Sequence, residues 1–262
     1  MEGIVASSDG VPVRYEVRGQ GSPALVFVHG WSCDRSYWRG QVDAFAARHR
    51  VVTVDLAGHG ASGAGRPAWT MPAFGEDVVA VVDELGLGDL VFIGHSMGGD
   101  VIVETALRRP GQVLGLVWVD TYSTLGEPEP REAIQAFVAP FREDFPAATR
   151  AFVGRLFGPD GDPGLLEWVA ADMAAAPPEV ALDAMEHAVG NGARILPLLE
   201  RLTVPLVAIN PVSRSADAES LGRYGVTVVA MPGVGHFLML EDPATFNRLL
   251  GEVVAGFTGA GS

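Results

Sequence analysis

The chain has 262 residues, of which 48% are hydrophobic and 19% charged, and its formal net charge is −14. This composition is typical of one large globular domain, and the negative charge argues against nucleic acid or an anionic membrane as partner. Cys33 is the one cysteine, so an internal disulfide is excluded. The first residues lack the pattern of a secretory signal and no apolar run is long enough to span a bilayer, so we expect a cytoplasmic protein.

Short apolar runs alternate with helix-like segments along most of the chain, which predicts an α/β protein with a mostly parallel sheet. Residues 13–17 alternate in polarity and predict an antiparallel strand at the start of that sheet. The other predicted strands are rich in Val, Leu and Ile, as expected where helices cover both faces; they span residues 24–28, 51–54, 90–93, 114–119, 206–209 and 226–230. Helices are predicted over residues 74–85, 101–107 and from Asp242 to about Val254.

This alternation stops at about Thr121 and resumes after Thr203, with helix-like pieces between prolines and glycines. We expect a helical insertion over residues 121–203, at the carboxyl edge of a sheet formed by residues 1–120 and 204–262. Most of its large side chains should pack within the insertion, and a few could line an apolar substrate pocket. These side chains are Phe137, Phe141, Phe145, Phe152, Phe157, Trp168, Met173 and Met185.

The pentapeptide GHSMG at residues 94–98 lies between a predicted strand and a predicted helix. A G-x-S-x-G sequence is common by chance, but in this context it is typical of a nucleophile elbow. Its glycines allow a sharp turn that would project Ser96 above the sheet, at a helix N-terminus that favours negative charge. Ser96 is therefore the candidate nucleophile, and the alternative is a spectator serine in a tight turn.

An oxyanion hole needs two backbone N–H donors that point at the developing alkoxide. Met97 directly follows the candidate nucleophile and supplies one donor. Trp31, in the loop after the strand at residues 24–28, is the candidate for the other. The Trp31 indole could also form a wall of the acyl pocket, or simply pack in the core.

The general base is expected in a loop near the end of the chain, and GVGHF at residues 233–237 lies between the last predicted strand and helix. His236 is therefore the candidate base. Histidines beside turn glycines are expected to hold loops by hydrogen bonds, and two others are expected at the surface. The first group is His29, His59 and His95, and the second is His49 and His187.

Together these motifs resemble the α/β-hydrolase superfamily, in its serine-nucleophile branch of small esterase- and lipase-like enzymes. The resemblance rests on HGW at 29–31, DLAGHGAS at 55–62, GHSMGG at 94–99 and GVGHF at 233–237, and it spans essentially the whole chain. It implies an α/β-hydrolase fold, with the helical insertion as the family's cap. Relatives with haloalkane or epoxide substrates use an aspartate nucleophile, so Ser96 argues against both activities.

A carboxylate should hold the tautomer of the catalytic histidine. In most of this superfamily that acid lies just beyond the strand that follows the cap, and Val212 stands there. Asp120 ends the strand at residues 114–119, and Asp217 lies eight residues past Ile209. Both preserve the order Ser, acid, His, but a residue fixed at a strand end is better positioned, so we favour Asp120. Asp120 could instead cap the first turn of the insertion, and Asp217 could instead cap a helix or lie in a solvated loop.

These residues predict a serine hydrolase without cofactor or metal, acting on a small, mostly apolar ester or lactone through an acyl-enzyme. A carbon–carbon bond hydrolase or an acyltransferase could use the same triad. A low-turnover ligand-binding or signalling protein is a further alternative, favoured by the vacant acid position. Cys33 and Asp34 follow the oxyanion loop without an assigned role, and the helix dipole is sufficient to explain Asp100.

Overall fold

The computed structural model describes residues 1–126, 129–158, 160–214 and 216–259. Its strands are β1 (Glu2–Ala6), β2 (Pro12–Arg18), β3 (Ala24–Val28), β4 (Arg50–Asp55), β5 (Leu90–His95), β6 (Val113–Val119), β7 (Leu206–Pro211) and β8 (Val226–Met231). Its helices are α1 (Arg39–Phe45), α2 (Met71–Glu84), α3 (Met97–Arg108), α4 (Arg131–Glu143), α5 (Phe145–Val153), α6 (Pro163–Ala174), α7 (Pro178–Val189), α8 (Gly192–Leu199), α9 (Ala218–Gly222), α10 (Leu238–Glu241) and α11 (Pro243–Phe257).

The strands form one sheet in the order β1-β2-β4-β3-β5-β6-β7-β8. β1 pairs antiparallel with β2 and β2 with β4, whereas all other neighbours are parallel. The predicted α/β class is therefore confirmed. β1 was not predicted, because this edge strand alternates between exposed and half-buried residues and leaves Ile4 53% exposed.

Two predicted helices begin earlier than the apolar stripes indicated. α2 starts three residues before Phe74, where the Thr70 hydroxyl accepts a hydrogen bond from Ala73 N–H at 3.3 Å and Pro72 lies in the first turn. α3 starts at Met97 rather than Val101, directly after Ser96. The chain therefore passes from β5 into α3 with Ser96 as the single residue between them.

Helices α4 to α8 lie between β6 and β7, within the span where a helical insertion was expected, and the described residues of this span contain no strand. The Trp31 indole N–H donates a hydrogen bond to the Ala181 carbonyl of α7 at 2.7 Å. Its ring packs edge-on against Phe141 and Phe152 at centroid distances of 5.6 and 6.1 Å. The loop after β3 is therefore fixed to the helices above the sheet. Among the described helices none is long and apolar enough to cross a membrane.

A buried ion pair holds the loop after β4 against α2. The Asp77 carboxylate accepts hydrogen bonds from Arg66, from the Ser7 hydroxyl at 2.6 Å and from Ala57 N–H at 3.1 Å. The side chains of Asp77 and Arg66 are 0% and 1% exposed. Because neither ion can be hydrated, each depends on the other for its stability.

Asp77→Ala is therefore expected to lower the free energy of unfolding by about 3 kcal/mol, since it leaves a buried guanidinium with Asp9 as its remaining partner. Urea denaturation measures this change. The matched control is Asp83→Ala, which removes the half-exposed partner of Arg109 and should cost no more than about 1 kcal/mol. Equal losses in the two variants would contradict the assignment of the Asp77 pair as a buried anchor.

Candidate active site

Ser96 lies on the sharp turn between β5 and α3, with φ 51° and ψ −120°. A non-glycine residue with positive φ is strained, and such strain persists where the surrounding structure holds it. Gly98 allows the close approach that holds this turn, because a Cβ there would lie 2.5 Å from the carbonyl oxygens of Val28 and His29. At Gly94 a Cβ would lie 2.3 Å from the Gly98 carbonyl oxygen. The two glycines of the motif are therefore required by backbone packing.

His236 and Asp120 are joined by a hydrogen bond of 2.6 Å between the ring Nδ1 and the carboxylate Oδ2. Asp120 is 2% exposed, and its own N–H donates to the Ile209 carbonyl at 3.1 Å, which fixes it at the end of β6. The backbone N–H of His236 donates a hydrogen bond to the Leu156 carbonyl at 2.7 Å. With Nδ1–H directed at the carboxylate, Nε2 is the nitrogen that remains available to accept a proton.

Glu241 holds the loop that carries His236, and sequence reasoning missed it. Its Oε2 accepts hydrogen bonds from Gly235 N–H at 2.9 Å and Gly158 N–H at 3.0 Å. Its Oε1 accepts from Phe237 N–H at 3.2 Å. A carboxylate that satisfies three loop N–H groups fixes the path of the chain on both sides of the imidazole.

The structure places Asp217 away from the imidazole, at the N-terminus of α9. Its Oδ1 accepts a hydrogen bond from Ser220 N–H at 3.0 Å, the helix-capping role that was the alternative for this residue. Val212 starts a short 3-10 helix, Val212–Arg214, and is 55% exposed. The loop after β7 therefore places no carboxylate against His236 within its described residues.

Arg214 of this same loop makes a contact that the sequence analysis missed. Its Nε lies 2.8 Å from Asp120 Oδ2, the oxygen that also accepts from His236. β7 is the neighbour of β6 in the sheet, so the loop that lacks the usual acid necessarily lies beside Asp120. The sequence signal that could have predicted this contact was the presence of a basic residue in that loop. The guanidinium stabilises the Asp120 carboxylate and opposes a positive charge on the nearby ring.

Arg214→Gln is therefore expected to lower kcat by roughly two- to tenfold, because the Asp120 carboxylate loses a charged contact but keeps its hydrogen bond to His236. Steady-state kinetics on one ester measures the change. Arg223→Gln, at an exposed arginine paired with Glu219, is the control and should leave kcat unchanged. A kcat of Arg214→Gln equal to that of the wild type would contradict this role.

The backbone N–H groups of Trp31 and Met97 are the predicted oxyanion donors. Neither group donates a hydrogen bond to another atom of the described residues. The loop that carries Trp31 passes close to the elbow, because a Cβ on Gly30 would lie 3.2 Å from the Ser96 Cβ. The two donors thus remain available for a ligand oxygen near Ser96.

The remaining histidines hold backbone segments or lie nearer the surface. His29 donates from Nδ1 to the Gly30 carbonyl at 2.8 Å and accepts from Leu56 N–H at Nε2, 3.0 Å away, so its ring is neutral. His95 donates from Nε2 to the His236 carbonyl at 3.0 Å. Burial lowers the pKa of both rings, and it lowers the pKa of His59 to about 3. His187 is exposed as expected, whereas His49 is half-buried.

Ser96 and His236 face one cavity of about 260 Å³ between the sheet and the helical insertion. The insertion contributes mostly apolar side chains to its wall: Phe137, Phe152, Leu156, Met173, Met185 and Val189. The expectation that some aromatic residues of the insertion line a pocket therefore holds for Phe137 and Phe152. Among the described residues no hydrogen bond joins the Ser96 hydroxyl to the His236 ring.

Asp100 and Cys33 also line this cavity. Asp100 is 3% exposed, accepts a hydrogen bond from the Tyr122 hydroxyl at 2.8 Å, and has its pKa raised to about 7 by burial. The helix dipole alone is thus an insufficient explanation of this residue. The Cys33 thiol donates to the Trp31 carbonyl at 3.3 Å, and burial raises its pKa. Asp34, by contrast, caps the short 3-10 helix Arg35–Trp38.

The chain belongs to the alpha/beta hydrolase family, whose model matches residues 25–249. It is 27% identical over 258 residues to 3-oxoadipate enol-lactonase 2 from Acinetobacter baylyi, and the match covers 94% of each chain. An esterase structure from Rhodococcus sp. ECU1013 is 25% identical, with a TM-score of 0.79 over 98% of this chain and 99% of that one. An esterase structure from Exiguobacterium antarcticum has a TM-score of 0.84 over 97% and 99% at 18% identity, which shows the fold alone. The protein is a hydrolase of this family, in its esterase-like branch.

Proposed function

We propose that this enzyme is a serine hydrolase that cleaves a small, mostly apolar carboxylic ester or lactone through an acyl-enzyme intermediate. The observation that carries the proposal is the 2.6 Å hydrogen bond between Asp120 and His236, because the His236 side chain lines the same cavity as the strained elbow residue Ser96. Similarity to an enol-lactonase and to esterases supports the same reaction class.

In the acylation step, Ser96 Oγ attacks the substrate carbonyl while His236 Nε2 takes the hydroxyl proton. The N–H groups of Trp31 and Met97 donate to the oxyanion, and Met97 does so from the first residue of α3, where the helix dipole also favours negative charge. Asp120 stabilises the imidazolium through Nδ1. His236 then protonates the leaving alcohol, and the acyl group stays on Ser96.

In the deacylation step, water replaces the alcohol and the roles repeat. His236 takes a proton from water as the oxygen attacks the acyl carbonyl, and the same two N–H groups hold the new oxyanion. Collapse of the intermediate returns the proton from His236 to Ser96 Oγ and releases the carboxylic acid. Both steps use only the substrate, one water molecule and the residues named above.

The helical insertion is proposed to act as a cap over residues 121–203 that shapes the substrate cavity. Its phenylalanine and methionine side chains favour an apolar acyl or alcohol group, and the cavity volume of about 260 Å³ favours a small one. The ligand-binding alternative rested on the vacant acid position after β7. Asp120 provides a carboxylate from β6 instead, so that support is removed.

The test is a series of p-nitrophenyl esters and simple lactones, assayed with and without a competing alcohol. We expect kcat/KM to be highest for acyl chains of roughly four to eight carbons, and the free acid to be the main product. Absence of turnover on every ester and lactone would contradict the proposal. Transfer of the acyl group mainly to the added alcohol would identify an acyltransferase instead.

A further inference from the structure

One wall of the active-site cavity is polar, and it is formed by Asp100, Thr121 and Tyr122. The other described lining residues are mostly apolar, apart from Ser96 and the two histidines at positions 95 and 236. Asp100 is the single carboxylate among them, and none of them is a lysine or an arginine. The described part of this wall therefore carries negative charge without a cation facing it.

Asp100 is held rigidly at this wall. It lies in the first turn of α3, four residues after Ser96, and both side chains line the cavity. The Tyr122 hydroxyl donates to Asp100 Oδ1 at 2.8 Å, and the Asn191 side chain lies near enough to lower the pKa of this carboxyl group, against the larger effect of burial. The carboxylate is therefore built into the cavity rather than free to swing towards solvent.

The arginines beside this helix are engaged elsewhere. Arg108 and Arg194 each lie 2.7 Å from the carboxylate of Glu104, one turn further along α3. Their charge is thus compensated by the buried Glu104 together with Glu76, which also pairs with Arg108. The donor to Asp100 is the neutral Tyr122 hydroxyl, and the nearby Asn191 side chain is also neutral, so the negative charge of Asp100 is felt by whatever occupies the cavity.

We propose that Asp100 determines substrate specificity, by selecting esters or lactones that carry a neutral hydrogen-bond donor, such as a hydroxyl or amide N–H, and by rejecting those that carry a carboxylate. This inference rests on the proposed function. A carboxylate has about four acceptor positions, so Asp100 can accept from a substrate donor in addition to Tyr122. A substrate carboxylate would face a buried like charge with no cation between them.

The test compares matched acyl chains at pH 8, about one unit above the pKa of Asp100. The substrates are p-nitrophenyl hexanoate, p-nitrophenyl 6-hydroxyhexanoate and mono-p-nitrophenyl adipate. A second pair, 4-carbamoylphenyl and 4-carboxyphenyl hexanoate, places the charge on the alcohol side. The wild type should disfavour the charged member of at least one pair by on the order of 10- to 100-fold in kcat/KM, as expected for like charges at an effective dielectric constant of about 20.

Asp100→Asn keeps the shape and an acceptor for Tyr122, and it should reduce this discrimination to within about threefold while p-nitrophenyl hexanoate is still hydrolysed. Asp100→Ser is a second neutral variant, in case the first does not fold. Asp172→Asn is the control, because Asp172 is an acidic residue that binds the Tyr37 hydroxyl at 2.8 Å and is not among the described residues that line the cavity. It should retain the wild-type preference.

Equal wild-type rates on charged and neutral members of both pairs would overturn the inference, whatever the variants do. So would a preference that survives in both Asp100 variants. Failure of the proposed function has a different signature, since the wild type would then hydrolyse none of these esters. If the wild type hydrolyses the neutral esters and rejects the charged ones, and Asp100→Asn loses this discrimination, the result supports both the proposed function and the role of Asp100.

Discussion

Ser96→Ala is expected to lower kcat for ester hydrolysis by a factor on the order of 10⁴ to 10⁶, because the acyl-enzyme can no longer form. The residual rate would come from the oxyanion donors and from substrate binding, which the substitution leaves intact. KM should change little, since the serine hydroxyl contributes little to binding in the ground state. Steady-state kinetics on one p-nitrophenyl ester, with purified protein of confirmed fold, measures both constants.

Cys33→Ala is the matched control, because the Cys33 thiol is a further potential nucleophile that lines the cavity. Its thiol is fully buried and hydrogen-bonded to the Trp31 carbonyl, and its raised pKa keeps it protonated and unreactive. The control should lower kcat by less than about tenfold, through packing alone. Loss of activity in Cys33→Ala together with near-normal turnover in Ser96→Ala would show that Cys33, and not Ser96, is the nucleophile.

Asp120→Asn is expected to lower kcat by a factor on the order of 10⁴, the size found when a triad acid is replaced by its amide. The amide can present an N–H to His236 Nδ1 and so favour the tautomer in which Nε2 carries the proton and cannot act as base. It also cannot stabilise the imidazolium. In this chain the substitution has a further consequence, since Arg214 loses the carboxylate it contacts at 2.8 Å.

Asp217→Asn separates the two candidate acids. Asp217 caps α9 through its contact with Ser220 N–H, and asparagine is an equally good cap, so kcat should stay within about twofold of the wild type. The same kinetic assay serves for both variants. Near-normal turnover in Asp120→Asn with a large loss in Asp217→Asn would show that the loop after β7 supplies the acid.

The fold could be predicted from sequence where a local pattern has a single physical explanation. The glycines around Ser96 could be interpreted from sequence because only glycine permits the close backbone approach at residues 94 and 98. Buried parallel strands were visible as apolar runs, although the ends of strands and helices shifted by a few residues. The half-exposed edge strand β1 has no such run, and it was missed.

Side chains that act across the sheet were harder to predict. Asp120 could be favoured because its position at a strand end follows from the pattern of β6, and its hydrogen bond to His236 agrees with that expectation. Arg214 was missed and Asp100 was assigned to the helix dipole alone, since their partners, Asp120 and Tyr122, are 94 and 22 residues away in sequence. Glu241 was missed for a related reason, because its role depends on where three loop N–H groups converge.

Labelling with a fluorophosphonate, followed by mass spectrometry of the digested protein, tests the proposed nucleophile most directly. The reagent phosphonylates a serine that is activated by a neighbouring base and held beside oxyanion donors. We predict one adduct on the folded wild-type protein, on the peptide that contains Ser96, with much slower labelling in Asp120→Asn. An unlabelled Ser96 in the folded protein, or an adduct at another residue, would contradict the proposed mechanism.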